Sequence, residues 1–234
     1  MRKIIVIFAM LIFLFVLSGC SFDVNLTINN NYEIKQKAKF TIENDTILLS
    51  NNSVKDYLNE LITSYADTEY KLKKFFGNNN SGIIFLLGYT DFNSYIKNAD
   101  FASVYQNPQV DIKDKTLSFA SGEGDYDSIF SEGPDPLAPS LDELKINIKF
   151  YNEVVESNAD SYDKKNNTYT WVITNEKRPE SISFKTSKKI RYDIMFKDLV
   201  EEYFVSVIIF CVGVSLIIFL FLRFKRRINF NNEV

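Results

Sequence analysis

The sequence predicts an α+β fold: an antiparallel sheet of amphipathic hairpins with helices packed on one face, plus an N-terminal signal helix and one C-terminal transmembrane helix. Three observations predict it. Long uncharged tracts stand near both ends of the 234-residue chain. Apolar and polar residues alternate with period two in several segments between them. Strands come in runs interrupted by helical stretches, without the regular βαβ repetition of a parallel doubly wound sheet. The composition, 46% hydrophobic and 24% charged, is close to the globular average, so disorder, collagen-like repeats and a multi-span transporter are poor descriptions. There is no histidine, and the two cysteines, Cys20 and Cys211, lie at or inside the apolar tracts. Disulfide scaffolds, zinc sites and His-based triads are thereby removed.

The chain starts Met1-Arg2-Lys3 and continues as an uncharged run over 4–18. A basic start, an apolar stretch and small residues are the order of a secretory signal. The run ends in Leu17-Ser18-Gly19-Cys20, which resembles the lipobox of bacterial lipoproteins, where diacylglycerol is attached to the cysteine and the peptide is cut before it. Residues 1–19 are then a lipoprotein signal peptide and Cys20 is the lipidation site. Two acyl chains suffice for stable anchoring, at ~0.8 kcal/mol per buried methylene. The alternative is an uncleaved first span with Cys20 as an ordinary residue.

Residues 203–222 carry no charge, and 20 residues at a rise of ~1.5 Å cover a ~30 Å hydrocarbon core. The expectation is a transmembrane helix followed by a basic tail, 223–234. Arg223, Lys225, Arg226 and Arg227 after the tract, against Glu201 and Glu202 before it, place the tail in the cytoplasm. Arg2 and Lys3 start on the same side, so 20–200 is expected outside, in a single-pass cell-membrane protein with a lipid anchor. That segment is acidic: from 21 to 200 it holds 21 basic and 27 acidic residues, a net of −6. Nucleic acid is not expected as a partner.

Within the domain, Val24, Leu26 and Ile28 alternate with Asn25 and Thr27. After Asn29-Asn30-Asn31 the alternation resumes at Tyr32, Ile34, Ala38, Phe40 and Ile42, with Glu33, Lys35, Lys37 and Lys39 on the other face. This predicts a long hairpin with one side on a core. Ser53 with Asp56 resembles a capping box, and Val54, Tyr57, Leu58, Leu61, Ile62 and Tyr65 share a helix face. Strands are expected over 70–76 and 83–89, joined by a glycine- and asparagine-rich turn. A helix capped by Asp91 follows, then short strands at 110–112 and 117–119. Residues 122–136 read as an exposed acidic loop. Leu144, Ile146, Ile148 and Phe150 alternate with Lys145, Asn147 and Lys149; Tyr169, Trp171 and Ile173 alternate likewise; Ile182 and Phe184 make a last strand.

Candidate sites are few. Glu123, Asp125, Asp127, Glu132 and Asp135 supply oxygens but lack the spacing of an EF-hand loop, so a solvated loop is the simpler reading. Asp160 and Asp163, near Asn166, read first as turn formers. No metal, cofactor or catalytic residue is expected, and no enzyme activity. The aromatic surplus, 21 Phe and 13 Tyr, suggests an apolar ligand pocket lined by Phe85, Phe92, Tyr95, Phe101, Tyr105 and Phe119, although each of these residues alone is as well explained by a core. Lys188, Lys189 and Arg191, in a juxtamembrane linker over 188–202, are candidates for contact with the membrane surface.

The lipobox, the hairpin over 24–42, the α+β domain, a terminal hairpin around Asn167-Thr168-Tyr169-Thr170-Trp171-Val172-Ile173 and one C-terminal span with a basic tail resemble, as a layout, the LppM-type membrane lipoproteins. The resemblance implies an extracytoplasmic domain that holds a lipid or glycolipid, with no active-site residues to carry over. The expected function is therefore binding of a membrane lipid or other amphiphile at the outer leaflet. The alternative is an accessory subunit whose span meets a membrane-protein partner, with Gly213 and Ser215 allowing close approach.

Overall fold

The computed structural model describes residues 20–44, 53–65, 68–98, 105–130 and 141–231, the last helix by its backbone alone from 220 onward. Two units, divided after Ile190, are treated separately. The first contains strands β1 (Cys20–Ile28), β2 (Glu33–Glu43), β3 (Lys71–Phe76), β4 (Asn80–Asp91), β5 (Gln109–Lys113), β6 (Thr116–Ala120), β7 (Leu141–Phe150), β8 (Asn152–Ser157), β9 (Ser161–Asp163), β10 (Thr168–Thr174) and β11 (Ser183–Ile190). Among the described residues of this unit lie three short helices, α1 (Val54–Ser64), α2 (Phe92–Asn98) and α3 (Tyr126–Phe130); the described part of the second unit is one helical stretch, α4 (Tyr192–Asn231).

Local chemistry sets several of these ends. The Asn29 side chain accepts the Asn31 and Glu33 amides, each at 2.9 Å, and Tyr32 takes a positive φ of 61°, closing the β1–β2 hairpin. Ser53 caps α1 by accepting the Asp56 amide at 3.3 Å, and its hydroxyl donates to Asp56 at 2.6 Å. Asp91 accepts the Asn93 and Ser94 amides at the start of α2, as an N-cap carboxylate should.

The expected single antiparallel sheet is corrected. Strands dominate the first unit and form two sheets, of order β3-β4-β2-β1-β7-β10-β9 and β5-β6-β11-β8. The larger sheet is mixed, because β1 pairs antiparallel with β2 and parallel with β7. A parallel pair needs a long crossover, and here everything from β2 to α3 supplies it. The split into two sheets follows from burial: each sheet has an apolar face, and stacking the faces removes both from water. The chain changes sheets at Tyr151. β7 ends beside β1, with Phe150 opposite Ile28, and β8 starts at Asn152 beside β11.

Across the large sheet, Leu72, Phe85, Ala38, Val24, Ile146 and Trp171 form one inward row, six strands wide. Phe184 of β11 joins the sheets. Its ring centroid lies 4.8 Å from that of Phe150, 5.2 Å from Phe119, 6.2 Å from Phe92 and 6.5 Å from Trp171. Asn158 bridges the same seam: its Oδ1 accepts from Trp171 Nε1 and from the Ser183 amide, each at 2.9 Å.

Two further expectations concern helices. No N-terminal signal helix is present among the described residues, because 1–19 lie outside them. The C-terminal tract is not one straight span: α4 bends by 50° between Tyr192–Ser206 and Ile208–Phe219, and no single helix among the described residues is long and apolar enough to cross a membrane. The first arm carries Asp193, Lys197, Asp198, Glu201 and Glu202. The second continues as helical backbone to Asn231. By length and composition the bent pair together qualifies as a broken span.

Asn167 fastens the point where the chain changes sheets. Only 1% exposed and at φ 50°, it donates Nδ2 to the carbonyls of Phe150 (2.8 Å) and Asn152 (2.9 Å). Asn167→Gly tolerates the backbone but orphans two carbonyls, so a loss of about 1–3 kcal/mol is expected in urea unfolding. Asn167→Ala should lose about 1 kcal/mol more, because its Cβ is strained at positive φ. Wild-type midpoints for both variants would contradict the role.

Candidate functional site

With the apolar row turned inward, the next residue on each strand faces outward, and the large sheet acquires a polar face. The helices contact the other side. Tyr65, just after α1, packs on Phe85 at 5.2 Å, and Tyr95 of α2 donates its hydroxyl to Gln36, an inward residue of β2, at 2.6 Å. Register places three outward rows over β2, β1 and β7: Lys39-Asp23-Lys145, Lys37-Asn25-Asn147 and Lys35-Thr27-Lys149. β3 extends the first two rows with Lys73 and Lys71, across Ile84 and Leu86 of β4.

The middle row is joined by hydrogen bonds. Asn147 Nδ2 donates to Asn25 Oδ1 at 3.3 Å, Thr170 donates to Asn147 Oδ1 at 2.8 Å, and Asn25 Nδ2 donates to the Lys37 carbonyl at 3.4 Å. Lys39 Nζ stands 4.7 Å from the Phe75 ring centroid. That ring lies over Gly82, where an added Cβ would meet the Phe40 carbonyl at 1.9 Å and Phe75 at 2.8 Å, so only glycine fits. Lys145 pairs with Glu143. That hydrogen bond raises the Lys145 pKa, burial opposes the rise, and the charges of Glu143 and Asp23 add to it. An open concavity of about 560 Å³ runs over this face, bounded by Asp23, Asn25, Lys37, Lys39, Asn147 and Lys149 among others. A smaller one, about 410 Å³, lies at the 78–80 turn, where Asn44 donates to the carbonyls of Gly77 and Asn78.

The residues singled out in the sequence are dispersed. Phe92, Tyr105 and Phe119 meet edge to face, Phe119 lying 5.5 Å from Phe92 and 5.8 Å from Tyr105. Phe85 belongs to a separate group with Phe22, Tyr65 and Tyr70. Tyr95 is tied to Gln36, and Phe101 lies outside the described residues. None of these rings lines either concavity. Burial pushes the Tyr105 hydroxyl pKa up.

Cys20 opens β1 opposite Ile42 and Leu141 and is 1% exposed. Burial, then the charges of Asp142 and Glu43, push its thiol up to about 12. Among the surface cations, Lys189 pairs with Glu153 at 3.2 Å, and Arg191 grips Asp193 with two bonds of 2.9 and 2.7 Å. That grip, against slight desolvation, holds the Asp193 carboxyl at about 2. Lys188 is exposed. Arg223, Lys225, Arg226 and Arg227 fall on the helical backbone of α4, where side chains are not described.

Of the acidic residues, Asp127 in α3 pairs with Arg178 at 2.6 Å, while Glu132 and Asp135 lie outside the described residues. Asp163 accepts the Lys165 and Asn166 amides. The lysine face was half visible in the sequence, since alternation exposes Lys35, Lys37 and Lys39 together. Its other bank requires knowing that β7 lies beside β1.

No family model matches the chain, and no curated protein matches it. The chain is similar in structure to a solved folded domain. That domain is LppM of Mycobacterium tuberculosis, determined by NMR, at 8% sequence identity and a TM-score of 0.47, covering 76% of this chain and 94% of that one.

Asp160 yields a pH prediction. Burial raises its pKa, but the Lys177 bond (2.6 Å), the Val172 amide (2.7 Å) and the Lys177 charge outweigh burial and lower it. A depressed folded pKa contributes stability that is present above the ordinary carboxylate value and lost as pH falls through the folded one. Wild type should therefore melt above Asp160→Asn at pH 7, and the gap should close as pH falls below the ordinary carboxylate range. A gap that is constant with pH would contradict this linkage.

Proposed function

We propose that the chain is a non-enzymatic envelope lipoprotein, held at the membrane by an acylated Cys20 and by the uncharged stretch of α4. In this reading its β-rich domain lies on the outer side and the arms engage lipid or another amphiphile. One observation carries the reading: the described side chains of α4 from Tyr203 to Phe219 are uncharged and largely exposed. Phe204, Ile209, Phe210, Ile217 and Phe219 are 56 to 71% exposed, and a soluble surface does not leave so large a continuous apolar patch in water. Charged side chains are absent from 203–222, so the stretch has no polar face with which to lie on a domain surface.

Cys20 supplies the second tether. Its sulfur is packed in the folded unit, so acylation requires the first residue of β1 to leave its places beside Ile42 and Leu141 while the rest of the strand stays paired. A second reading, in which the arms meet a partner helix, is supported by Gly213, around which an added Cβ would meet nothing within 4 Å. The Ser215 hydroxyl nearby is satisfied by the Cys211 carbonyl at 2.8 Å.

Two tethers make a specific prediction for the full chain in cells. Acyl labelling should be lost in Cys20→Ala, and carbonate washing should leave that variant in the membrane pellet. Ile209→Lys with Phe210→Lys, at a cost of about 5–7 kcal/mol to membrane burial, should also remain while Cys20 is acylated. Acyl label persisting in Cys20→Ala, or release of the wild type or of the two-lysine variant, would contradict the proposal, and retention that depends on one co-purifying membrane protein would favour the partner reading.

A further inference from the structure

We propose that the outward face of the large sheet is a binding trough for a phosphodiester-linked polyol chain, laid along β1 between two banks of lysine. The inference concerns the first unit alone and stands independently of how the chain is anchored.

The register builds the trough. β1 forms its floor with Asp23, Asn25 and Thr27; β2 gives one bank with Lys35, Lys37 and Lys39; and β7 gives the other with Lys145 and Lys149. Strands lie about 4.8 Å apart, so the banks are separated by about 10 Å, and outward lysines on β2 recur every ~6.8 Å. A single extended polymer fits between such banks. Together with Lys71 and Lys73 of β3, seven lysines share the central part of this face with three carboxylates, Asp23, Glu143 and Asp163. Glu33 and Glu43 stand at the two ends of β2 and bound the cationic stretch. This excess lies on a domain whose net charge is negative, so the positive charge is segregated onto one face.

Charge alone would suit many anions, and the floor narrows the choice. Asn25, Thr27, Asn147 and Thr168 put amides and hydroxyls at the bottom of the concavity, and such groups exchange hydrogen bonds with hydroxyls. Lysine ammoniums on both sides meet phosphates as point charges. A chain of polyol units joined by phosphodiesters presents both chemistries in every repeat. Nucleic acid fits less well: single-strand binding relies on aromatic stacking platforms, and Phe75, the ring that faces these rows, already lies under Lys39. A planar bilayer surface fits less well because the face is concave.

The test is titration of the full chain in uncharged detergent with a synthetic glycerol-phosphate oligomer, read calorimetrically at two salt concentrations. Binding is expected, with affinity falling as salt rises because phosphate contacts release counterions. Lys37→Gln with Lys149→Gln, one from each bank, should weaken it about ten-fold or more, or 1.4 kcal/mol, with an unchanged melting temperature. Lys185→Gln with Lys188→Gln, away from the trough, should leave it within about two-fold. Asn25→Ala with Thr27→Ala should weaken the oligomer but not inorganic polyphosphate, which has no hydroxyls. No binding, equal binding by the two-bank variant, or polyphosphate binding as tightly as the oligomer would overturn the proposal. So would tighter binding to anionic phospholipid vesicles through the same two lysines, which would assign the face to the membrane surface.

Discussion

The position of β1 between β2 and β7 is the constraint on which the rest of the first unit depends. A strand alternates its side chains between two faces, so a slip of one residue exchanges the faces completely. β1 is held in register from both sides, with Val24 opposite Ala38 on one neighbour and Ile146 on the other. That one alignment sends Val24, Leu26 and Ile28 into the core and Asp23, Asn25 and Thr27 out. It also sets the lysines of β2 and β7 on the same side as one another, although they are more than a hundred residues apart.

Two kinds of surface follow from this alignment, and they carry different free energies. The inward rows gain from burial in proportion to area and shape, with Phe184 as the ring shared by both sheets. Replacing a buried aromatic of that kind by alanine costs about 3–5 kcal/mol. The outward rows contribute little to folding, because exposed charges are screened and their pairs weak. Lysines concentrated on one face repel one another, so their placement is understandable as a binding surface more readily than as a stabilising one. The uncharged stretch of α4 poses the complementary problem, since greasy surface left in water asks for a membrane or a partner.

Much of the large sheet was legible in the sequence because its signal is local. The alternation in 24–42 and 144–150, the Ser53–Asp56 cap and the Asp91 cap all depend on residues within a few positions of one another, and each element formed where the pattern placed it. The parallel β1–β7 pairing was not legible, since no local residue names a strand's distant neighbour. β8 and β9 were missed because 152–163 holds few apolar residues and its Asn, Ser and Asp side chains read as a turn. The uncharged run at 203–222 specified apolarity and length but not straightness. Aromatic content likewise cannot distinguish a lined cavity from an interlocked core, and Phe92, Tyr105 and Phe119 turn out to pack on each other. For the candidate site, one lysine bank was visible in β2 alone, while the trough exists only once β7 is set beside β1.

The alignment of β1 is tested most directly by amide hydrogen exchange on the full-length protein, followed peptide by peptide. Strands bonded on both sides should open only in large-scale unfolding. The amides of residues 21–28 should accordingly exchange as slowly as those of β7, and far more slowly than those of the edge strands β3 and β9. Rapid exchange over 21–28, at edge-strand rates, would show a tether where the account requires a central strand, and the shared face of β2 and β7 would be lost with it.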